Sequence, residues 1–419
     1  MHPAARIAPA AIAAAVIALG SRLLLIFLYP GVFAFDGFQR WAGREFLLIR
    51  DWLPATQSLI VLTSPFDSPT LTRFMLALVA SLSVMALVQI STHFFGKRVG
   101  WYTVPIAAFG PFSVWSSTLY QEGTFLFFCL GAVALTSLLP QKRLWIADLM
   151  AGGMALTRYE GWPVLLLYLL WRRDKKALIG LWGAALWLGV KGLSLEGYAP
   201  SPIDYADWNE LSERMDLSIY LTQLNKGLFQ SFESGALGVW LLAIPSMIFA
   251  IRKRHKMGLL LLLIWLSQAA AVAGWIAGLE TTIQRMQVIM TVIAMPFCAL
   301  TLSRFKSIPF KGAVLAGLVV MGLWTRHALD TAARNHRSFQ AERHLALEIE
   351  ACQDCRWHIS PRTGLGTRDR HDGCEILQGV STLTHGVDFW CLAWGSPEHP
   401  ASHTAQWKKR GYTTERIGE

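Results

Sequence analysis

"FAFDGFQRWAGREFLLIRDWLPATQ", residues 33–57, places three acids, three arginines, two tryptophans and a proline between two strongly apolar stretches. Before it runs "PAAIAAAVIALGSRLLLIFLY", residues 9–29, long enough to cross a bilayer, which takes roughly 20 apolar residues. This first block exceeds a typical signal-peptide core and shows no small-residue cleavage site, so it reads as a retained helix. The 419-residue chain is 53% hydrophobic and 16% charged. A soluble domain carries about 25% charge, and the deficit is concentrated in repeated apolar blocks. The sequence is that of a polytopic membrane protein.

The blocks fall near 8–28, 70–93, 101–118, 120–140, 144–157, 161–171, 177–193, 236–251, 257–278, 286–303 and 312–325, eleven spans. "FGKR", "QKR", "WRRDKK", "RKRHK" and "SRFK" follow every second span, and the positive-inside rule makes these loops cytoplasmic. The alternate loops hold the acids, from Asp36, Glu45 and Asp51 through Glu122 and Glu160 to Glu280. The N-terminus is then cytoplasmic and the C-terminus extracytoplasmic. The two phases agree only if 144–171 is two spans. The chain divides into a transmembrane module, 1–325, and an extracytoplasmic tail, 326–419. The first outer loop is 29–57 and the second long loop 194–235. The formal charge of +10 belongs to the loops and implies no nucleic-acid partner.

Cys129 and Cys298 lie in apolar spans and read as inert core residues. Cys352, Cys355, Cys374 and Cys391 stand in the exported tail and read as two disulfides of undetermined pairing. Zinc is the rival reading, for which "CQDC" supplies half a site. The tail carries no phosphate loop, H-E-x-x-H or G-x-S-x-G motif.

Charges at membrane depth are costly unless they face protein or water. Asp36, Glu122, Arg158, Glu160, Lys191, Glu280 and Arg285 all fall at the outer ends of spans, which points to one cavity opening outward. The plain alternative is scattered interfacial anchoring. Arginine forks suit phosphate oxygens, and a carboxylate in hydrogen-bond reach can take a proton from an attacking hydroxyl. An outward cavity without a nucleotide motif needs an activated donor delivered in the lipid.

"DGFQRWAGREFLLIRDWLPATQ" resembles the first extracytoplasmic loop of GT-C glycosyltransferases, through Asp36, Trp41, Gly43-Arg44-Glu45-Phe46-Leu47, then Asp51-Trp52-Leu53 and Pro54. "FFGKRVGWYTVPIAAFGPFSVWSSTLYQEGTFLFF", "ALTRYEGW" and "QRMQVIMTVIAMP" are similar to later segments of that superfamily, so the resemblance covers roughly 8–300. It implies an all-α, GT-C-like membrane fold of about eleven helices with a small extracytoplasmic C-terminal domain. The implied activity is transfer of a sugar, mannose or another hexose or pentose, from a polyprenyl- or dolichyl-phosphate donor. The acceptor, on the extracytoplasmic side, is a hydroxyl of an unspecified glycan, lipid or protein. The implied partners are that lipid-linked sugar and the bilayer. Compact size and short inner loops favour a bacterial plasma or inner membrane. Gly37 stands where the family has a second acid, which counts against a divalent metal; no cofactor is certain.

The expected catalytic residues are Asp36, as general base, and Glu122. Asp36 could instead cap a helix starting at Gly37. Glu122 could position the acceptor or Arg158, or simply favour a helix N-terminus. The expected substrate-binding residues are Arg44, Arg158, Glu160, Lys191 and Arg285. Arg285 is the leading phosphate ligand, with interfacial anchoring as its alternative. Arg158 and Glu160 either line the site or pair within their turn. Lys191 either contacts the substrate or snorkels to the interface. Asp51 and Trp52 read as structural, and Arg22 and Asp148 as internally paired. Two other readings stay open: a transporter or flippase for a lipid-linked substrate, and an inactive assembly subunit.

Overall fold

The computed structural model describes residues 6–29, 53–66, 68–108, 119–193, 236–278 and 283–304, single positions 40, 47, 112 and 116, and four short strands between 356 and 417. For 191–193, 274–278, 283–286 and the strands, the backbone alone is described. Among the described residues there are eleven α-helices. They are α1 (Pro9–Leu28), α2 (Pro54–Thr63), α3 (Pro69–Phe95), α4 (Lys97–Ala108), α5 (Glu122–Leu138), α6 (Leu144–Ala155), α7 (Gly161–Arg172), α8 (Trp182–Leu193), α9 (Ala236–Arg252), α10 (Lys256–Gly278) and α11 (Ile283–Arg304). Ten of the eleven expected spans therefore carry a helix; the last, 312–325, lies outside the described residues. The region 144–171 is two helices, as the charge phase required.

Sequence dictates where several of these helices begin. α1, α2 and α3 each open on proline, whose missing N–H is not needed in the first turn. Ser68 adds a side-chain cap, accepting from Leu71 N at 3.3 Å. Segments within Pro9–Leu28, Pro69–Phe95, Lys256–Ala273 and Gln287–Arg304 are long and apolar enough to cross a membrane, and the protein is a multi-pass membrane protein.

The helices share one apolar core drawn from α1, α3 to α7 and α9 to α11. Ala10, Ala14 and Ala18 are at most 2% exposed; small residues one turn apart let α1 approach α3 closely. α11 packs against α4, α9 and α10, joining the two halves of the chain. At one end, Ala8 N donates to Gln89 Oε1 at 2.8 Å and His255 stacks on Phe95 with ring centres 5.1 Å apart. The basic turns lie at this end. At the other, Arg73 Nη1 donates to Tyr29 O at 2.7 Å.

Of the third expected span, 101–118, α4 covers the part up to Ala108, which is fully buried; beyond it only Phe112 and Ser116 are among the described residues. Pro105 sits within α4. The Ala108 carbonyl is met from α1: Ser21 Oγ donates to Ala108 O at 3.1 Å and Arg22 Nη1 at 3.3 Å. Arg22 Nε also donates to Ser116 Oγ at 2.8 Å, and its guanidinium carbon lies 4.9 Å from the Phe112 ring centre. Arg22 is paired internally as expected, to Ser116 Oγ and to the carbonyls of Ala18 and Ala108. Asp148 is too, accepting from Tyr168 Oη at 2.8 Å and from Arg172 Nε and Nη2 at 3.0 and 3.2 Å.

In the tail the chain forms a small antiparallel sheet that the sequence did not announce. β1 (Arg356–Pro361) pairs with β2 (Leu377–Gln378), β3 (Gly395–Pro397) and β4 (Thr414–Ile417). β4 pairs along Arg356–Ile359 and overlaps both other registers, so β2 and β3 share the opposite edge of β1. The all-α description holds for the membrane bundle, and the tail adds these four short strands. The four tail cysteines lie outside the described residues.

Candidate functional site

The turn between α6 and α7 carries "LTRYEG". Thr157 N and Arg158 N both donate to Met154 O, at 3.2 and 3.4 Å, and Gly161 N closes on Arg158 O at 3.0 Å. A β-carbon at position 161 would stand 2.3 Å from Met154 O, so this close return of the backbone requires glycine. The turn aims Arg158 into the bundle, where it is 2% exposed.

There the guanidinium meets two carboxylates. Arg158 Nη1 donates to Glu122 Oε1 at 2.6 Å; Nη2 and Nε donate to Glu160 Oε1 and Oε2 at 2.9 and 3.2 Å. Side-chain exposure is nil for Glu122 and 11% for Glu160, so Glu122 is sealed in the interior while Glu160 keeps slight contact with the outside. Glu122 is the first residue of α5, where an acid also meets the favourable end of the helix dipole. The two-pronged grip on Glu160 is the geometry only arginine offers.

Three further elements converge on this cluster. From α10, Gln268 Nε2 donates to Glu160 O at 3.2 Å. From the start of α2, Ala55 N donates to Leu156 O at 2.8 Å, and Leu53, Leu156 and Trp187 form a buried apolar pad beneath the turn. Beside Glu122, Gln121 Oε1 accepts from Arg40 Nη2 at 2.8 Å, and Gln57 Nε2 donates to Arg40 O at 3.1 Å. Arg40, from the polar first loop, thereby meets the helix end bearing Glu122.

The sequence-predicted residues fare differently. Glu122, Arg158 and Glu160 are brought together, with Arg158 paired in its own turn and to Glu122. Lys191 lies in the last turn of α8 and Arg285 in the first turn of α11, at the same end of the bundle. Asp36, Arg44, Asp51, Trp52 and Glu280 lie outside the described residues. Arg40, Gln57, Gln121 and Gln268 were missed. Arg40 could have been suspected as an arginine beside Trp41 in the polar loop; single carboxamides in long chains give no such signal.

The architecture is a GT-C-like fold, in a multi-pass membrane protein with a polar cluster at one end of its bundle. Two solved structures carry the likeness. The oligosaccharyltransferase of Archaeoglobus fulgidus, in complex with zinc and sulfate, superposes with a TM-score of 0.54 at 17% identity, over 82% of this chain and 56% of that one. ArnT from Cupriavidus metallidurans, bound to undecaprenyl phosphate, gives 0.53 at 14% identity, over 81% of this chain and 71% of that one. This chain thus spans little more than half the oligosaccharyltransferase's length. No family model and no curated protein matches the sequence.

A resident metal is not supported by the acids of this cluster. Glu122 and Glu160 converge on the Arg158 guanidinium, so a positive charge already stands where a cation would have to sit. Among the described residues no three His, Cys, Asp or Glu side chains gather as a ligand set.

Proposed function

We propose that this protein is a membrane glycosyltransferase that moves a sugar from a polyprenyl-phosphate donor to a hydroxyl acceptor on the extracytoplasmic side. The carrying observation is the buried Arg158 fork between Glu122 and Glu160, set in a GT-C-like bundle beside Arg40 of the first loop. Arg285, with Arg44 and Lys191, holds the donor phosphate from the ends of α11, the first loop and α8. Asp36 takes the proton of the acceptor hydroxyl. The hydroxyl oxygen bonds to the anomeric carbon as the bond from that carbon to the phosphate oxygen breaks. Inversion in one displacement is the simplest course, and polyprenyl phosphate leaves with the electron pair. Arg158 fixes the Glu122 and Glu160 carboxylates, and Glu122 orients the acceptor. The sugar is mannose or another hexose or pentose, and the membrane a bacterial plasma or inner membrane, entered with the N-terminus inside and the tail outside.

The test is transfer by the purified chain from polyprenyl-phosphate donors carrying different sugars, read as released polyprenyl phosphate and glycosylated acceptor. Absence of transfer from every such donor, together with movement of lipid across liposomes, would replace the enzyme with a transporter.

A further inference from the structure

Two helices reverse at the basic end of the bundle through arginines in the left-handed conformation. Arg173 follows α7 with φ 51° and ψ 27°, and its N–H returns to Leu169 O at 3.1 Å. Arg254 follows α9 with φ 48°; its N–H donates to Ile251 O at 3.1 Å and the next, His255 N, to Ala250 O at 3.0 Å. Both are standard helix endings whose left-handed position usually belongs to glycine, because a side chain there crowds the backbone. α3, ending at the same face, does use glycine, Gly96 at φ 107°. Arg173 and Arg254 are the only non-glycine residues with positive φ among those described.

Neither side chain recovers that cost among the described residues. Other arginines at this end fold back: Arg98 lies over Tyr102, Arg172 grips Asp148, and Arg304 sits 3.6 Å from the Phe249 ring centre. Arg173 and Arg254 are exposed, and no hydrogen bond, ion pair or ring contact engages either side chain among the described residues. The turns are short, so these side chains emerge at the level where membrane-spanning helices end and lipid headgroups begin. Lysines flank both, at Lys175 and Lys176 and at Lys253 and Lys256, with Asp174 the one acid in those two turns.

We propose that Arg173 and Arg254 are docking points for anionic phospholipid headgroups, and that this face holds the bundle to an acidic leaflet. The occupant is a lipid surface because charge complementarity and depth both point there. A cation beside a helix C-terminus also gains from the helix dipole, and the experiment separates the two. The full-length wild type and the R173G/R254G variant are unfolded thermally in neutral detergent, alone and with rising phosphatidylglycerol or phosphatidylcholine. Glycine relieves the backbone, so the variant should melt no lower than wild type in neutral detergent. Phosphatidylglycerol should raise the wild-type midpoint, with its half-maximal concentration about 25-fold higher for the variant, from about fivefold per arginine. Phosphatidylcholine should act equally on both. An R173Q/R254Q variant, which removes the charges without glycine's flexibility, should lose the same phosphatidylglycerol response. A lower melting point for the glycine variant in neutral detergent would assign the arginines to the helix dipole instead. An unchanged phosphatidylglycerol response in both variants, or none in wild type, would overturn the proposal.

Discussion

Glu122 and Arg158 are 36 residues apart in the chain and 2.6 Å apart in space, both essentially sealed from solvent. Removing one member of such a pair strands the other. Arg158→Met, which leaves Glu122 and Glu160 facing each other without their common partner, should destabilise the protein by about 3–5 kcal/mol. Glu122→Gln keeps a hydrogen-bond acceptor and should cost less. The E122Q/R158M double variant should fall short of the sum of the single effects, because the interaction can be lost only once. Thermal melts of the four proteins in one detergent decide this, and an R158M protein melting with the wild type would refute it.

Asp36→Asn should slow transfer by roughly 10²–10⁴-fold while donor binding and expression stay near normal, since it removes a proton acceptor but not the shape. Asparagine is itself a good helix cap, so the substitution separates base from cap. Transfer at the wild-type rate would exclude Asp36 as the base.

Arg285→Ala should act on the donor instead. Loss of a charge-assisted hydrogen bond to phosphate costs about 1.5–3 kcal/mol, to be read as weaker binding of polyprenyl phosphate by titration. Unchanged donor affinity would return Arg285 to an interfacial anchor.

Asp148→Ala tests whether burial alone marks function. Asp148 holds Tyr168 and Arg172 near the basic end, away from the Glu122 cluster. The variant should lose about 3–5 kcal/mol of stability, yet retain the wild-type transfer rate per folded molecule. A rate loss at full folding would give this second pair a role in the reaction.

The tail cysteines, Cys352 to Cys391, are expected outside the cytoplasm and largely disulfide-bonded. A thiol reagent confined to the cytoplasm should leave them unlabelled in intact cells. Labelling would reverse the assigned topology.

What the sequence made legible follows from how membranes constrain chains. Hydropathy finds the spans because backbone groups in lipid must be satisfied within a helix, and basic loops in alternate phase ordered them. The same ordering put Glu122, Arg158 and Glu160 at one end of the bundle, where they meet. The partners of Ser21 and Arg22 were not legible: hydropathy does not register that both donate to the Ala108 carbonyl of another helix. Gln268 escaped for a related reason. Its value lies in one carbonyl 108 residues away, and pairings of that kind leave no local pattern. The tail sheet escaped because its strands are two to six residues long, too short for alternation to stand out.

The Glu122–Arg158 pair also has a chronology. A ribosome makes the acid first, and the arginine only after the rest of α5 and all of α6 have followed. A translocon handling α5 therefore receives a helix headed by a carboxylate whose Arg158 partner does not yet exist. α5 and α6 must enter the bilayer as a hairpin for that charge to be met on arrival, and Gln268 can lock the turn only when α10 follows. The cluster is completed late in biogenesis, so chains released before α10 would leave the membrane machinery with their polar end unfastened and open to quality-control proteases.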